Sequence, residues 1–260
     1  MQLVKPALDV GLYTNNLDSV LAFWQQQANV PFSELLPVGG GVHQHRHAIG
    51  DSVLKINHSR TALPSGASGL AKLTIFNNHI DAPQQLKDPD GNHVELLPTK
   101  PDAPNLRLTL KVNDITASEH FYQQALGLSR NDHGAFLVGR SEIILQPGQV
   151  GDIPQKAVGL RYMTFQVADV VSEHNYVLAH GGQEGMAPVR LGDVAYISFV
   201  RDPDGNWIEI SQRNSITGSL DRVDGVVALS HFLAQPIQPN ASYNPENWTP
   251  PHNRGVPLPT

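Results

Sequence analysis

Two carboxylates occupy equivalent places in a repeated motif, and they open the chemical reading of this chain. In LKDPDGNHVELL the glutamate is Glu95, and in VRDPDGNWIEIS it is Glu209. A carboxylate on a strand that faces a hollow can take a proton from a bound molecule or ligate a metal. Side-chain alternation puts His93 beside Glu95 as a candidate general base, and Trp207 beside Glu209 as a platform for an aromatic ligand. A third stretch, VHQHRHAIGDSVLKIN, sets His43, His45 and His47 on one face of a strand, where alternate imidazoles can share a metal. The chain has no cysteine, which excludes a thiolate nucleophile, an iron–sulfur cluster and a disulfide framework. Any metal would have to be held by His, Asp, Glu or Tyr.

Hydrophobic period supplies the elements that must position these groups. Leu8, Val10 and Leu12 alternate with Asp9, Gly11 and Tyr13; Leu73 and Ile75 with Lys72, Thr74 and Phe76. Leu108, Leu110 and Val112 alternate with Arg107, Thr109 and Lys111, and Met163, Phe165 and Val167 with Tyr162, Thr164 and Gln166. Four strands therefore each have an oily face and a largely polar one. Helical stripes follow three of them: Leu17, Val20, Leu21 and Trp24 after an Asn15/Asn16 cap; Ile115, Phe121, Tyr122, Ala125 and Leu126; and Val170, His174, Val177 and Leu178. The stripes would cover the oily faces, leaving a concave polar side for a ligand. DPDGN predicts a tight hairpin and nothing more. A two-residue Gly50/Asp51 turn, the favoured geometry, sets Arg46 opposite Lys55 and puts the histidines with Leu54 and Ile56 on the helix side. A three-residue turn would send His45 and His47 into the concavity instead.

The chain also repeats itself. The DPDGN motif at position 88 returns at 202, and NLDSVLAFWQQQANV from position 16 is echoed by DITASEHFYQQALGL from 114. Both hairpin motifs, the strand–helix entries LDVGLYTNNLDSVLAFW and LRLTLKVNDITASEHFY, and GLRYMTFQVADV resemble the vicinal oxygen chelate superfamily. That superfamily includes glyoxalase I, bleomycin-resistance proteins and extradiol dioxygenases. The resemblance implies an α+β fold of four βαβββ-type modules, the second lacking its helix, paired into two cup-shaped half-barrels. Two modules would lie in 5–100 and two in 104–213, with a proline-rich arm over 214–260.

The resemblance also locates the positions where relatives hold a metal: a His on the first strand of paired modules and a Glu on the last. Here those positions read Asp9, Lys72, Arg107 and Tyr162, with Glu95 and Glu209; a fourth ligand position falls on Lys55, and its counterpart near Ile144. One cup is thus expected to hold Asp9, Lys55, Lys72 and Glu95, the other Arg107, Tyr162 and Glu209. Two ammonium groups would repel a divalent ion, so no cofactor is expected; were a metal held, it would be through His43, His45 and Glu95.

The resulting expectation is an enzyme acting on a small oxygenated metabolite, aromatic ones included, without the family's usual metal triad. Glu95, His93, Lys55, Lys72, Glu209 and Tyr162 are the catalytic candidates, and Asp9, Tyr13, Arg46, Arg107 and Trp207 the substrate-binding ones. The alternatives are a metal-free binding protein of the resistance type and a ring-cleaving dioxygenase with atypical ligands. A net charge of −6 argues against nucleic acid as a partner. The absence of a long apolar segment argues against a membrane and for a cytoplasmic protein. The arm could mediate a homodimer.

Overall fold

The computed structural model describes residues 1–38 and 42–220, together with the backbone of 241–242. Of the arm expected to mediate a homodimer, 221–240 and 243–260 lie outside the described residues. The first module comprises β1 (Asp9–Thr14), α1 (Leu17–Ala22), β2 (Phe32–Pro37), β3 (Val42–Ile49) and β4 (Ser52–Ser59). The second has only strands: β5 (Leu70–Asn77), β6 (Gln84–Lys87) and β7 (His93–Pro98). The third runs through β8 (Leu106–Val112), α2 (Ile115–His120), β9 (Phe136–Val138) and β10 (Ser141–Pro147). The fourth contains β11 (Gly159–Gln166), α3 (Val170–Ala179), β12 (Gln183–Leu191), β13 (Ala195–Arg201) and β14 (Trp207–Arg213), followed by a short α4 (Asn214–Thr217). Residues Ala241–Ser242 form β15 against β2.

The strands make two open sheets, in the orders β12-β13-β14-β11-β1-β4-β3-β2-β15 and β6-β7-β5-β8-β10-β9. The seams are antiparallel: β1 with β11, and β5 with β8. Each cup therefore joins one module from each half of the chain, first with fourth and second with third. This corrects the expected grouping: Asp9, Lys55, Tyr162 and Glu209 share the large sheet, while Lys72, Glu95 and Arg107 share the small one. All four seam strands carry the same alternation of oily and polar residues, so alternation alone could not choose their partners.

The oily faces of both sheets and the helical stripes merge into a single hydrophobic cluster that includes Leu8, Trp24, Leu73, Leu108, Tyr122 and Phe165. Fully burying a side chain of this size stabilises by about 1.5–3 kcal/mol. Helices α1 and α2 each widen into a π-helical turn, at Phe23–Gln27 and Phe121–Ala125, so the sequence echo between them extends to an unusual backbone geometry. Asp114 and Asp169 cap α2 and α3 by accepting from the amides of Ala117 and Ser172. At α1 the expected cap differs. Asn16 makes no side-chain cap bond, and the Asn15 amide instead donates to the carbonyls of Ser59 and Thr61.

The DPDGN turns also do more than reverse the chain. The hydroxyl of Tyr122 on the third module donates to Asp202 Oδ2 at 2.9 Å, and Ser118 Oγ donates to Asp204 Oδ2 at 2.9 Å. In the other turn Asn92 accepts from the Leu160 amide at 2.8 Å. Each turn thus ties its hairpin to another module. No described helix is long and apolar enough to cross a membrane.

Candidate functional site

The concave face of the large sheet encloses a cavity of about 160 Å³. Its floor comes from polar positions on β1, β3, β4, β11 and β14. Its walls are aliphatic, with Leu36 and Val42 on one side and Val189, Val194 and Ile197 on the other. Register explains why the floor is polar: Gly11 pairs with both Lys55 and Tyr162, and Thr164 with Glu209, so these side chains emerge on one face.

At the centre Lys55 Nζ donates to Glu209 Oε2 at 2.7 Å and to Thr164 Oγ1 at 2.8 Å, and Thr164 Oγ1 donates to the same Oε2 at 2.7 Å. Burial pulls the Lys55 ammonium below the usual lysine range, and the Glu209 charge offsets only part of that. Both hydrogen bonds to Glu209 land on Oε2; among the described residues none lands on Oε1, although Glu209 lines the cavity. Lys55 has spent two of its three protons and sits 5.6 Å above the Tyr162 ring.

A chain of amides orients Tyr162. Arg46 Nη1 donates to Gln44 Oε1 at 2.9 Å, Gln44 Nε2 to Asn57 Oδ1 at 3.0 Å, and Asn57 Nδ2 to the Tyr162 hydroxyl oxygen at 3.0 Å. The phenol therefore accepts from Asn57, and its own proton is left to donate elsewhere. Burial and the neighbouring Glu209 charge push Tyr162 and Tyr13 well above the usual tyrosine range, so both stay protonated as donors. Further up the wall, Arg46 Nε and Arg213 Nη1 lie 3.2 and 3.5 Å from one oxygen of Glu34.

Several predicted residues lie elsewhere. Asp9 is fully buried beneath the floor, where its carboxylate accepts from Lys5 Nζ at 2.6 Å and the Val53 amide at 2.8 Å. Trp207 does not line the cavity: its indole N–H donates to the Ile153 carbonyl and its ring packs edge-on to Phe199. In the other cup, Glu95 Oε2 accepts from Lys72 Nζ and Thr74 Oγ1, and Oε1 from Gln85. Burial opposes ionisation of Glu95, but these hydrogen bonds outweigh it and hold the carboxyl below the usual range. His93 is exposed at the start of β7. Arg107 pairs with Glu142 at 2.8 Å.

The β3–β4 hairpin has the favoured two-residue turn, with Gly50 at φ 57° and Arg46 opposite Lys55. His45 and His47 consequently face the helix side, where His47 Nε2 lies 3.2 Å from the Gln25 amide nitrogen. That amide can only donate, so this imidazole nitrogen accepts. His43 and His45 belong to the large sheet and Glu95 to the small one, so the structure does not assemble them into a ligand set. Among the described residues no group of three or more His, Asp or Glu side chains is placed to hold a metal. The family's metal positions do not fit a cation either. In the large cup the ammonium of Lys55 already occupies the carboxylate that would ligate one, and Asp9 is turned away to Lys5.

Asn57, Gln44 and Arg213 were not singled out from the sequence. The signal was present, since period two from Lys55 reaches Asn57, from Arg46 reaches Gln44, and from Glu209 through Ser211 reaches Arg213.

Comparison with known proteins agrees with this architecture. The model of the Glyoxalase/Bleomycin resistance protein/Dioxygenase superfamily matches residues 106–210. Virulence protein STM3117 of Salmonella typhimurium is 32% identical over 120 residues, covering 40% of this chain and 81% of that protein. Glyoxalase I from Zea mays has a similar fold at 15% identity, with a TM-score of 0.61 over 83% of this chain and 93% of that one. A putative dioxygenase from Bacillus subtilis gives a TM-score of 0.58 at 12% identity, over 82% and 85% of the respective chains. With its repeated modules, open cups and paired hairpin motifs, the chain belongs to the glyoxalase, bleomycin resistance protein and dioxygenase superfamily, the vicinal oxygen chelate proteins.

Proposed function

We propose that this protein is an enzyme that takes a small oxygenated molecule into the cup of the first and fourth modules and moves a proton on it. Glu209 is the base. The observation that carries this reading is the carboxylate itself, with Oε2 fixed by Lys55 and Thr164 and Oε1 unbonded by any described residue at the cavity floor. In the step proposed, a C–H next to a carbonyl gives its proton to Oε1. The C–H electron pair becomes a C=C bond, and the carbonyl π pair moves to oxygen. Lys55 N–H and Tyr162 O–H donate to that oxygen as it gains charge, the role a metal plays in related sites. Where the carbon that lost its proton bears a hydroxyl, that hydroxyl proton passes to the former carbonyl oxygen and the abstracted proton returns from Oε1 to the former carbonyl carbon. That completes an isomerisation with no other reactant. Otherwise the proton returns to the carbon it left. Burial strengthens each of these contacts relative to water.

The test is exchange. A panel of α-hydroxyketones and aryl ketones incubated with the protein in deuterated water should lose α-protons, followed by proton NMR. Glu209→Gln should slow that exchange at least about 100-fold, the usual contribution of a positioned base, with ligand still bound. The aliphatic walls also favour a second reading, a binding protein of the resistance type. Saturable binding with no exchange over the whole panel would favour that reading and remove ours.

A further inference from the structure

We infer that the ligand of this cup is an organic carboxylate, gripped by Arg213 and Arg46 while its apolar body lies along the aliphatic walls. The inference rests on the reading of this cup as a ligand site. It starts from the charge balance. The chain as a whole carries −6, yet the cavity is lined by Arg46, Lys55, Lys156 and Arg213 against the single carboxylate of Glu209. Glu34, which touches both arginines, adds one more negative charge, and Asp9 is spent on Lys5. Among the described residues two positive charges are left over in the cup.

The arginines themselves show where an anion would sit. Glu34 uses one oxygen for two guanidinium groups, at 3.2 Å from Arg46 and 3.5 Å from Arg213. Arg213 makes no side-chain hydrogen bond to any described residue, although its side chain is only 13% exposed. Arg161, a structural arginine of the same chain, sets the contrast: four of its five N–H donors go to the carbonyls of Ala157, Ala67, Gly66 and Val158. A largely buried guanidinium with unspent donors is costly to keep, and a carboxylate accepting two parallel N–H bonds offsets that cost. Along β14, Arg213 lies on the same face as Glu209, two side-chain steps away, so a molecule held at the arginine extends toward the base. Leu36, Val42, Val189 and Ile197 lie around that path and suit a hydrocarbon body.

The experiment is a calorimetric titration of the full chain with four probes sharing one body: 3-phenylpropanoate, 3-phenylpropanamide, 3-phenylpropylammonium and 2-phenylethylphosphonate. The carboxylate should bind at least tenfold tighter than the amide, and the ammonium should not bind. Arg213→Gln should bring carboxylate and amide within threefold of each other, while Arg213→Lys should keep most of the preference. The comparison of probes on the unaltered protein stands even if a variant fails to fold. Equal affinity for carboxylate and amide, a preference that survives Arg213→Gln, or no binding by any probe would overturn the inference. A phosphonate tenfold tighter than the carboxylate would overturn it in favour of a dianionic head group. Glu209-dependent exchange of neutral ketones without an anion preference would remove this inference and leave the proton-transfer reading standing. An anion preference without exchange would do the reverse.

Discussion

At the scale of single residues, the position that most constrains the cup is Gly11, which does no chemistry. It lies on β1 opposite Tyr162, next to a shift in strand register, and a Cβ there would come within 2.0 Å of Tyr162 Cζ and within 2.6 Å of two further ring atoms. The requirement is steric, since Gly11 is not among the residues with positive φ. Tyr162 is buried to 3% exposure and its hydroxyl is fixed by Asn57, so the ring has no easy retreat. Gly11→Ala should cost about 1–3 kcal/mol, as expected for overpacking a filled site, read from urea denaturation. It should also weaken ligand binding at least tenfold, because Tyr162 would leave its donor position. A variant as stable as the parent, with unchanged affinity, would show that Tyr162 is not seated as described. Sequence reading put Gly11, Tyr13 and Tyr162 on polar strand faces from alternation alone. It could not see that glycine makes room for the tyrosine, because that contact joins strands about 150 positions apart, Gly11 to Tyr162.

At the scale of elements, the β3–β4 hairpin decides what the histidines do. Alternation and the Gly50/Asp51 turn made their face legible, and that face is the core side rather than the cup. Burial pulls His45 down to about 3, helped by the charges of His47, His58 and His43, and pulls His47 down to about 4. Both therefore stay neutral in the folded chain at pH values where the unfolded chain, near 6.5, already binds protons. Stability from keeping them neutral is complete above about pH 6.5 and is lost as pH falls toward those folded values. At pH 5 the two together should cost about 4 kcal/mol relative to pH 7. Urea midpoints measured from pH 7 to 5 should fall accordingly, and His47→Gln should remove roughly half of the slope. A flat profile over that interval would mean the hairpin exposes these rings. Alternate histidines resemble a metal site in one dimension. The hairpin register and the Gln25 amide place His45 and His47 on the helix side of the sheet instead.

At the scale of the whole molecule, the repeat made four modules legible but left their partners open. Related modules share the same seam strand pattern, and only the structure selects β1 with β11 and β5 with β8. Function depends on that choice. Lys55 comes from the first module and Glu209 from the fourth, so the central ion pair spans 154 positions and exists only when the two ends of the chain meet. The exposed connection between β7 and β8, at 100–102, offers a place to cut. Separated there, each half would lose its partner along both seams and leave two central strands as open edges, which invite association. Residues 1–100 and 104–260 produced together should therefore elute as a one-to-one complex by size exclusion with light scattering. Either half alone should be oligomeric, insoluble or unfolded. A folded monomer of residues 1–100 would mean that the first and second modules close a cup by themselves. The ion pair between Lys55 and Glu209, and any proton transfer built on it, would then have no place in the molecule.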